Sequence, residues 1–413
     1  MDILFSDALK IQGPNSFQIV VKPAGASCNL SCTYCYYLEK RKLYPGINEF
    51  RMSDVLLEKI IKEFIEAHEV PVVTFTWQGG EPTLMGLDFF KKAIGYQKKY
   101  SRGRTIENAF QTNGTRLNSD WCKFFKDNNI LVGISIDGKE HNHDHYRRTF
   151  SGSPTFRKVM DGINLLHRNS VEFNTLSTVN DYSVRFASET YRFLKEAGSG
   201  YMQFLPVVER AALNHRDMDL ELLAPVHGNG SVTRWSVGPA DYGEFLITIF
   251  NEWVRNDVAR YFVQIFDATL ANYIGDNPGI CVFGETCGDA MAMEHNGDLY
   301  SCDHFVYPEY LLGNIAKTPL LDMVKSKQQL DFGIIKRSSL PGYCLDCDVL
   351  YTCHGECPKH RFLATPGGET GLNYLCEGYK MFFRHVEPFM HFMAEELKNE
   401  RPPANVMKWC NEQ

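Results

Sequence analysis

The sequence lacks the features of a membrane protein, a secreted protein or a nucleic-acid binder. No uninterrupted apolar run approaches the ~20 residues that a membrane helix needs. The beginning, MDILFSDALKIQG, has neither the basic segment nor the apolar run of a signal peptide. The formal net charge of −7 argues against general affinity for nucleic acid or anionic membranes. We therefore predict a cytoplasmic protein whose partners are neither nucleic acid nor membrane.

The chain also lacks internal repeats and low-complexity tracts. With 413 residues, 44% hydrophobic and 23% charged, it is long enough for one large α/β domain and a smaller one. It contains 13 cysteines, and all but two fall in tight groups. Grouped cysteines without an export signal indicate metal or redox chemistry rather than disulfides.

The first cysteine group lacks a fourth member. Cys28, Cys32 and Cys35 lie close together in the run KPAGASCNLSCTYCYY. A four-iron cube usually takes one cysteine per iron, so three would leave one iron open for a ligand that is not protein. Zinc is the alternative, although structural zinc takes four closed ligands, and spacing alone leaves both open. The neighbouring tyrosines favour a shielded cluster beside a packed cofactor.

Strands and helices are predicted to alternate along the first part of the chain. The helical stretch 53–69, for example, begins with Ser53 as N-cap and spaces its apolar residues by three and four. Such alternation predicts parallel strands joined by right-handed crossovers, in a curved, open relative of the eight-fold barrel. Chemistry in such folds lies at the carboxyl ends of the strands, and the first cysteine group follows the first strand. The predicted strands are 17–22, 71–78, 105–113, 130–137, 172–179 and 201–208.

Changes of pattern divide the chain into four predicted regions. Within the first, 209–240 breaks the alternation and is predicted to be an irregular insertion, either a surface loop or a substrate-facing lid. The regions are a barrel (1–240), a linking helical segment (241–275), a cysteine-rich domain (276–380), and a closing helix with a loose tail (381–413).

Polar and glycine-containing motifs follow several of the predicted strands. WQGGEPTL (77–84) follows the second strand, and its glycines would let the backbone approach a ligand closely. Asn113 ends the third strand, Ser135 and Asp137 end the fourth, and Arg147 follows. Taken singly, such residues are equally typical of turns and caps. Because they end neighbouring strands, we expect them to line one site.

A second cysteine group fills the C-terminal third. Its run CLDCDVLYTCHGEC (344–357) has the spacing C-x2-C-x5-C-x3-C. Its eight thiols are enough for two closed four-iron clusters, and zinc sites would use the same number. Cys122 is predicted to be a core residue, and Cys410 neither ligand nor catalyst. The eight are Cys281, Cys287, Cys302, Cys344, Cys347, Cys353, Cys357 and Cys376.

These motifs resemble a known family. CNLSCTYCYY resembles the C-x3-C-x2-C signature of radical S-adenosylmethionine (SAM) enzymes, and the run 344–357 matches the signature of the SPASM domain. The segments WQGGEPTL, QTNGT, LVGISIDG and GDLYSCDHFV extend the resemblance to anaerobic sulfatase-maturating enzymes, over about residues 18–390. The resemblance implies a partial (β/α)6 barrel followed by a C-terminal SPASM domain.

The resemblance also implies the cofactors, three [4Fe–4S] clusters and SAM. The first three cysteines would leave an iron open for SAM. One closed cluster would take Cys281, Cys287, Cys302 and Cys357, and the other Cys344, Cys347, Cys353 and Cys376. A glycine backbone would contact the SAM amino group, an arginine the carboxylate, and a valine the adenine. The implied SAM-site residues are Tyr34, Gln78, Gly80, Glu81, Asn113, Ser135, Asp137, Arg147 and Val208.

The implied reaction converts a cysteine or serine in an unfolded sulfatase to Cα-formylglycine. The target would lie in a Cys/Ser-x-Pro/Ala-x-Arg motif, and a deoxyadenosyl radical would remove its Cβ hydrogen. Asp303 matches the family's proposed catalytic base, which would take the thiol or hydroxyl proton. Tyr37 would either orient Asp303 or the substrate, or have only a packing role. A flavodoxin or ferredoxin would supply electrons.

Two other functions stay open at this stage. A related SPASM enzyme could instead form a thioether or carbon–carbon crosslink in a ribosomal peptide. Such enzymes usually carry or recruit a leader-recognition domain, and only about 16 residues precede the first predicted strand. The second possibility is a zinc or iron–sulfur binding module without activity.

Overall fold

A computed structural model describes residues 15–47, 49–212 and 230–412. All six predicted strands are present, and each lies within its predicted range. The strands of the described residues are β1 (Gln18–Val21), β2 (Val72–Trp77), β3 (Thr105–Thr112), β4 (Leu131–Ser135), β5 (Phe173–Val179), β6 (Tyr201–Pro206), β7 (Arg210–Ala211), β8 (Ser231–Val232), β9 (Phe262–Val263), β10 (Ala290–Met293), β11 (Asp298–Tyr300), β12 (Leu311–Asn314), β13 (Leu363–Ala364) and β14 (Thr370–Leu372).

One ten-stranded sheet forms the centre of the fold. Its order is β12-β11-β10-β1-β2-β3-β4-β5-β6-β9, and the strands from β10 to β9 are parallel. β11 and β12 continue it with antiparallel pairing. Strands β10–β12 come from the predicted cysteine-rich domain, so the barrel and that domain share one sheet. At this junction β1 pairs in parallel with β10, from Gln18 opposite Ala290 to Val21 opposite Met293.

The helices cover the outer side of the sheet. The α-helices of the described residues are α1 (Tyr36–Glu39), α2 (Asp54–Ala67), α3 (Leu87–Tyr100), α4 (Ser119–Asp127), α5 (Glu140–Tyr146), α6 (Phe156–Arg168), α7 (Ala187–Glu196), α8 (Pro239–Asn256), α9 (Gln264–Ile274), α10 (Leu320–Val324), α11 (Lys327–Ser338), α12 (Gly342–Leu345), α13 (Leu350–Cys353), α14 (Cys376–Lys398) and α15 (Val406–Asn411). The Ser53 hydroxyl caps α2 by accepting from the Leu56 amide at 3.3 Å, as predicted. Apolar residues at helical spacing, such as Leu57, Ile61 and Phe64, are buried against the sheet.

Aromatic side chains fill the space between sheet and helices. Trp77, Phe90, Phe110 and Phe125 are almost completely buried there. Cys122 is also fully buried, which confirms its prediction as a core residue. No helix within the described ranges is both long enough and apolar enough to cross a bilayer.

The predicted insertion 209–240 is more regular at its ends than expected. β7 and β8 pair antiparallel there, with Arg210 opposite Val232 and Ala211 opposite Ser231. The pairing was not predicted because two-residue strands leave no readable alternation. The middle of the insertion, 213–229, lies outside the described residues.

The C-terminal segments differ from their predicted boundaries. α14 runs without interruption through position 380, where the cysteine-rich domain was predicted to end. The tail is packed rather than loose, since Val406 is fully buried and the Trp409 ring stacks on Phe392 with centroids 5.0 Å apart. Its prolines lie in a short turn before α15, which hid the helical spacing.

Two glycines allow α8 and α14 to touch. A Cβ built on Gly378 would lie 2.0 Å from the Pro239 carbonyl oxygen, and one on Gly243 would lie 2.7 Å from the Gly378 Cα. We expect Gly378→Ala to destabilise the protein by about 1–3 kcal/mol, because the helices must move apart. The measurement is the thermal unfolding midpoint of the anaerobically reconstituted protein.

Gly95 on α3 is the matched control for Gly378→Ala. A Cβ there meets nothing within 4 Å. Gly95→Ala should therefore leave stability unchanged or raise it by up to ~1 kcal/mol, since alanine favours helix. An unchanged midpoint for Gly378→Ala would show that the two helices are not held at this contact.

Candidate active site

The carboxyl ends of the parallel strands open into a cavity of about 380 Å³. Cavities of this size bind small molecules and cofactors. The cavity unites residues from the barrel and from the cysteine-rich domain. The predicted site residues that line it are Cys28, Cys32, Tyr34, Cys35, Gln78, Gly80, Asn113, Ser135, Arg147 and Asp303.

The first three cysteines lie in the loop after β1 and meet at this cavity. The backbone amide of Leu30 donates to the Cys28 sulfur at 3.4 Å, and the side-chain nitrogen of Asn113 lies 3.7 Å from the same sulfur. Burial raises the pKa of Cys28 to about 12 and raises the pKa values of Cys32 and Cys35. Buried thiols with so few donors suit a positively charged metal group, which would stabilise them as thiolates.

Gly79 and Gly80 bring the end of β2 against the cysteine loop. Their φ angles are +81° and +51°, which favours glycine. A Cβ on Gly80 would lie 2.1 Å from the Ser27 carbonyl oxygen. The same carbonyl accepts from the Glu81 amide at 2.8 Å. The backbone at Gly80 therefore lines the cavity without a side chain in the way.

Arg147 is held at the cavity by a buried carboxylate. The Asp137 Oδ2 accepts from the Arg147 Nε at 2.9 Å and from the Tyr34 hydroxyl at 2.5 Å. Burial alone would raise the pKa of Asp137, but the Arg147 charge outweighs it and the pKa is lowered. Asp137 itself is not among the residues that line the cavity. Its position indicates that it orients Arg147 and Tyr34, whereas the sequence suggested direct contact with SAM.

Glu81 and Val208 also lie outside the cavity lining. The Glu81 carboxylate is fully buried and accepts from the Thr83 amide at 3.0 Å, the Thr112 hydroxyl at 2.7 Å and the Asn113 amide at 2.8 Å. It thereby joins the ends of β2 and β3. Val208 belongs to the core, and its neighbour Val207 lines the cavity instead.

Asp303 lies where the two parts of the sheet meet. Its Oδ1 is 2.5 Å from the Nζ of Lys22, which follows β1. Its Oδ2 accepts from the Tyr36 hydroxyl at 2.8 Å and from the Tyr37 hydroxyl. Lys22 is fully buried and also pairs with Glu294, which follows β10, at 3.3 Å. The adjacent parallel strands β1 and β10 thus bring Lys22 to Glu294, and Asp303 follows the next strand of the sheet, β11.

The charge state of Asp303 follows from these contacts. Burial would raise its pKa, but the Lys22 ammonium and the Tyr37 hydroxyl outweigh burial and lower the pKa to about 2. Burial lowers the pKa of Lys22, and the charges of Asp303 and Glu294 reverse that effect and raise it. At neutral pH the Asp303 carboxylate is therefore ionised and fixed in orientation.

Four of the later cysteines surround a second, small space of about 20 Å³. They are Cys344, Cys347, Cys353 and Cys376, one complete predicted ligand set. The other lining side chains include Val349, Leu350 and Tyr379.

The remaining four cysteines form a third group beside Asp303. Burial and the charges of Cys281 and Cys287 raise the pKa of Cys302. Burial raises the pKa of Cys357, to which Cys302 and Cys281 also contribute. Cys287, Cys302 and Cys357 pack in one cluster with Phe305 and Phe332.

The distances between these side chains determine whether they could bind a single zinc ion. Zinc–sulfur bonds of ~2.3 Å require the sulfurs of one zinc site to lie within about 4 Å of each other. Across the described part of the chain, no three His, Cys, Asp or Glu side chains converge closely enough for a single ion.

Several cavity residues were not predicted. Lys359 pairs with Glu209, and its Nζ lies 4.7 Å from the centre of the Tyr36 ring. Lys22 and Tyr36 were also missed as partners of Asp303. A charged residue at the end of a buried strand, FQIVVK, was the available signal for Lys22. Nothing in the spacing of Glu209 and Lys359, 150 positions apart, could have paired them.

Comparisons with known proteins agree with this geometry. The family model of the radical SAM superfamily matches residues 23–194, and that of an iron–sulfur cluster-binding domain, SPASM, matches residues 281–348. The chain is 52% identical, over 94% of both chains, to the serine-type anaerobic sulfatase-maturating enzyme of Bacteroides thetaiotaomicron. It is 34% identical to the cysteine-type enzyme of Clostridium novyi, over 92% of this chain and 98% of the relative.

A solved structure gives the same result. "Native anSMEcpe with bound AdoMet and Cp18Cys peptide" matches with a TM-score of 0.80 and 29% identity, over 92% of this chain and all of that one. The predicted fold, a radical SAM barrel with a C-terminal SPASM domain, is confirmed, as are the predicted cofactor types, iron–sulfur clusters and SAM. Because 52% identity extends over nearly the whole of both chains, this protein is an enzyme that belongs to the anaerobic sulfatase-maturating enzymes of the radical SAM superfamily.

Proposed function

We propose that this enzyme oxidises one serine or cysteine of an unfolded sulfatase to Cα-formylglycine. The observation that carries the proposal is the position of Asp303, an ionised carboxylate in the same cavity as Cys28, Cys32 and Cys35. The first three cysteines do not separate this reaction from crosslinking, because a crosslinking enzyme would also need a radical source. The family supports formylglycine, since relatives at 30–52% identity over most of the chain carry the sulfatase-maturating name.

We assign the cofactor sites as follows. Cys28, Cys32 and Cys35 hold the cluster with the open iron, and Gly80, Asn113, Ser135 and Arg147 bind SAM. The two later sets of four cysteines hold two closed clusters. SAM and the open cluster, when bound, would supply radical chemistry at the Cβ of the target, and a closed cluster would supply an electron acceptor.

The side chains around Asp303 handle the proton. An Asp303 carboxylate oxygen accepts the hydroxyl or thiol proton of the target side chain as the aldehyde or thioaldehyde forms. The Lys22 ammonium and the Tyr36 and Tyr37 hydroxyls hold the carboxylate still, so that it does not turn away from the cavity. Asp137 similarly fixes Arg147 through their 2.9 Å ion pair.

We further propose that serine is the preferred target. Identity is 52% to the serine-type relative and 34% to the cysteine-type relative of Clostridium novyi. The proposed substrate is a peptide with a Ser/Cys-x-Pro/Ala-x-Arg motif. A flavodoxin or ferredoxin is the proposed electron donor, and the proposed location is the cytoplasm.

Paired peptides test the reaction and the preference. Anaerobically reconstituted enzyme, SAM and reductant are incubated with Ser-x-Pro-x-Arg, Cys-x-Pro-x-Arg and Ala-x-Pro-x-Arg peptides. We expect kcat/KM to be about tenfold higher for the serine peptide, a difference of about 1.4 kcal/mol in the barrier. The alanine peptide should be unchanged. A hydrazide probe should label the product aldehyde.

The outcomes separate the proposals. An oxidised serine peptide that does not react with the hydrazide would indicate a crosslink instead of an aldehyde. Faster oxidation of the cysteine peptide would overturn the serine preference and leave the reaction standing. Unchanged peptides alongside rapid 5′-deoxyadenosine formation would contradict the reaction itself.

A further inference from the structure

Helix α11 (Lys327–Ser338) turns one face towards the third cysteine group, Cys281, Cys287, Cys302 and Cys357. The residues Gln329, Gly333 and Lys336 are spaced by four and three, so they share that face. All three are buried in α11. The opposite side of the helix is exposed, with Leu330 59% and Ile334 45% accessible.

Gln329 and Gly333 hold the segments that carry two of these cysteines. The Gln329 side-chain amide donates to the Gly288 carbonyl at 2.6 Å and to the Ser301 carbonyl at 3.1 Å, next to Cys287 and Cys302 respectively. A Cβ on Gly333 would lie 2.4 Å from the Cys287 carbonyl oxygen. The helix therefore lies directly against both segments.

Lys336 holds the segment of a third cysteine. Its Nζ donates to the carbonyls of Cys281, Gly284 and Val282, the last at 3.0 Å. Three acceptors require three N–H hydrogens, which only the ammonium form provides. The carbonyl of Lys336 accepts from Arg361, four residues after Cys357. One lysine thus connects to two cysteine segments of the set.

The charge of Lys336 is shielded from water. The side chain is fully buried, and its Nζ contacts the Cys281 carbonyl oxygen. A buried charge interacts far more strongly with its neighbours than one in solvent. Adding an electron to a cluster adds negative charge, which a nearby ammonium stabilises.

We propose that Lys336 is a positioning residue that tethers the Cys281 loop and raises the reduction potential of the cluster held by Cys281, Cys287, Cys302 and Cys357. The proposal rests on the ligand set assigned under the proposed function. It makes this cluster easier to reduce by an electron leaving the neighbourhood of Asp303. The reduction potential of this cluster tests the proposal, and the rate of formylglycine formation does not.

Lys336→Met keeps the length of the side chain and removes its charge. In an EPR-monitored redox titration of the reconstituted full chain, we expect one of three midpoint potentials to fall. A tenfold fall in the equilibrium constant for reduction would be a decrease of 59 mV for one electron. Lys336→Arg keeps the charge, so its midpoint potential should equal that of the wild type. The matched control is Arg337→Gln, which removes a half-exposed charge paired with Glu285 at 2.7 Å and should shift nothing.

The iron content of each variant is measured alongside the redox titration. A Met variant that keeps about twelve irons and an unchanged potential would overturn the proposal. If that variant loses about four irons, Lys336→Gln decides, because its amide can still donate to the loop carbonyls. A Gln variant with iron restored and potential lowered supports the proposal. A Gln variant with iron restored and the wild-type potential, or one that also lacks the four irons, overturns it.

Discussion

Asp303→Asn is expected to lower the rate of formylglycine formation by about 10²–10⁴-fold while SAM cleavage continues. The amide keeps the size and nearly the shape of the side chain, but its oxygen cannot take the proton of the target hydroxyl or thiol. The three cysteines of the open cluster and the predicted SAM contacts are unchanged. The measurement compares 5′-deoxyadenosine with peptide aldehyde in the same anaerobic reaction.

Asp298→Asn is the matched control for Asp303→Asn. Asp298 begins β11, and its carboxylate accepts from the side-chain amides of Asn296 and Asn314, each at 2.7 Å. It does not line the cavity, so its variant should form formylglycine at the wild-type rate. Wild-type aldehyde formation by Asp303→Asn would remove Asp303 from the mechanism. Loss of SAM cleavage together with the aldehyde would make its role the support of the cofactor site.

The second large effect concerns the two kinds of cysteine group. Replacing Cys28, Cys32 and Cys35 together by alanine should lower the iron content from about twelve to about eight per chain and abolish 5′-deoxyadenosine formation. Replacing Cys344 and Cys376 should also remove about four irons, because two thiolates cannot hold a cube. That variant should still cleave SAM, since its open cluster is intact.

Cys122→Ala and Cys410→Ala are the controls. Cys122 is fully buried in the core and Cys410 packs at its edge, and neither belongs to a cysteine group. Both variants should keep about twelve irons and full activity. Zinc in place of iron after reconstitution, or SAM cleavage by the chain without its first three cysteines, would contradict the assignment.

The sequence was sufficient for elements that repeat a local pattern. All six strands of the barrel were predicted because short β-branched runs alternate with amphipathic helical stretches in this part of the chain. The two sets of four cysteines were predicted from the family resemblance, and in the structure Cys344, Cys347, Cys353 and Cys376 line one small space. Residues that follow strands, such as Gly80 and Asn113, line the cavity because parallel strands end at one edge.

Contacts between distant segments could not be predicted in the same way. Lys22 and Asp303 are 281 positions apart, and the pairings of β1 with β10 and of β10 with β11 place their segments in one sheet. Asp137 and Glu81 looked like ligand contacts because they follow strands. In the structure their carboxylates are used by Arg147 and by Thr112 and Asn113, since a buried carboxylate needs donors.

The pairing of β1 with β10 has a consequence for synthesis on the ribosome. β10 follows β1 by about 270 residues, which at ~5–20 residues per second emerge over about 15–55 s. Through that interval one edge of β1 has no partner, and an unpaired strand edge invites association with other chains. Nascent chains that stop before Ala290 should therefore aggregate or recruit chaperones. The strand that leads into the first cysteine group gains its second partner only after about 290 of the 413 residues have been made.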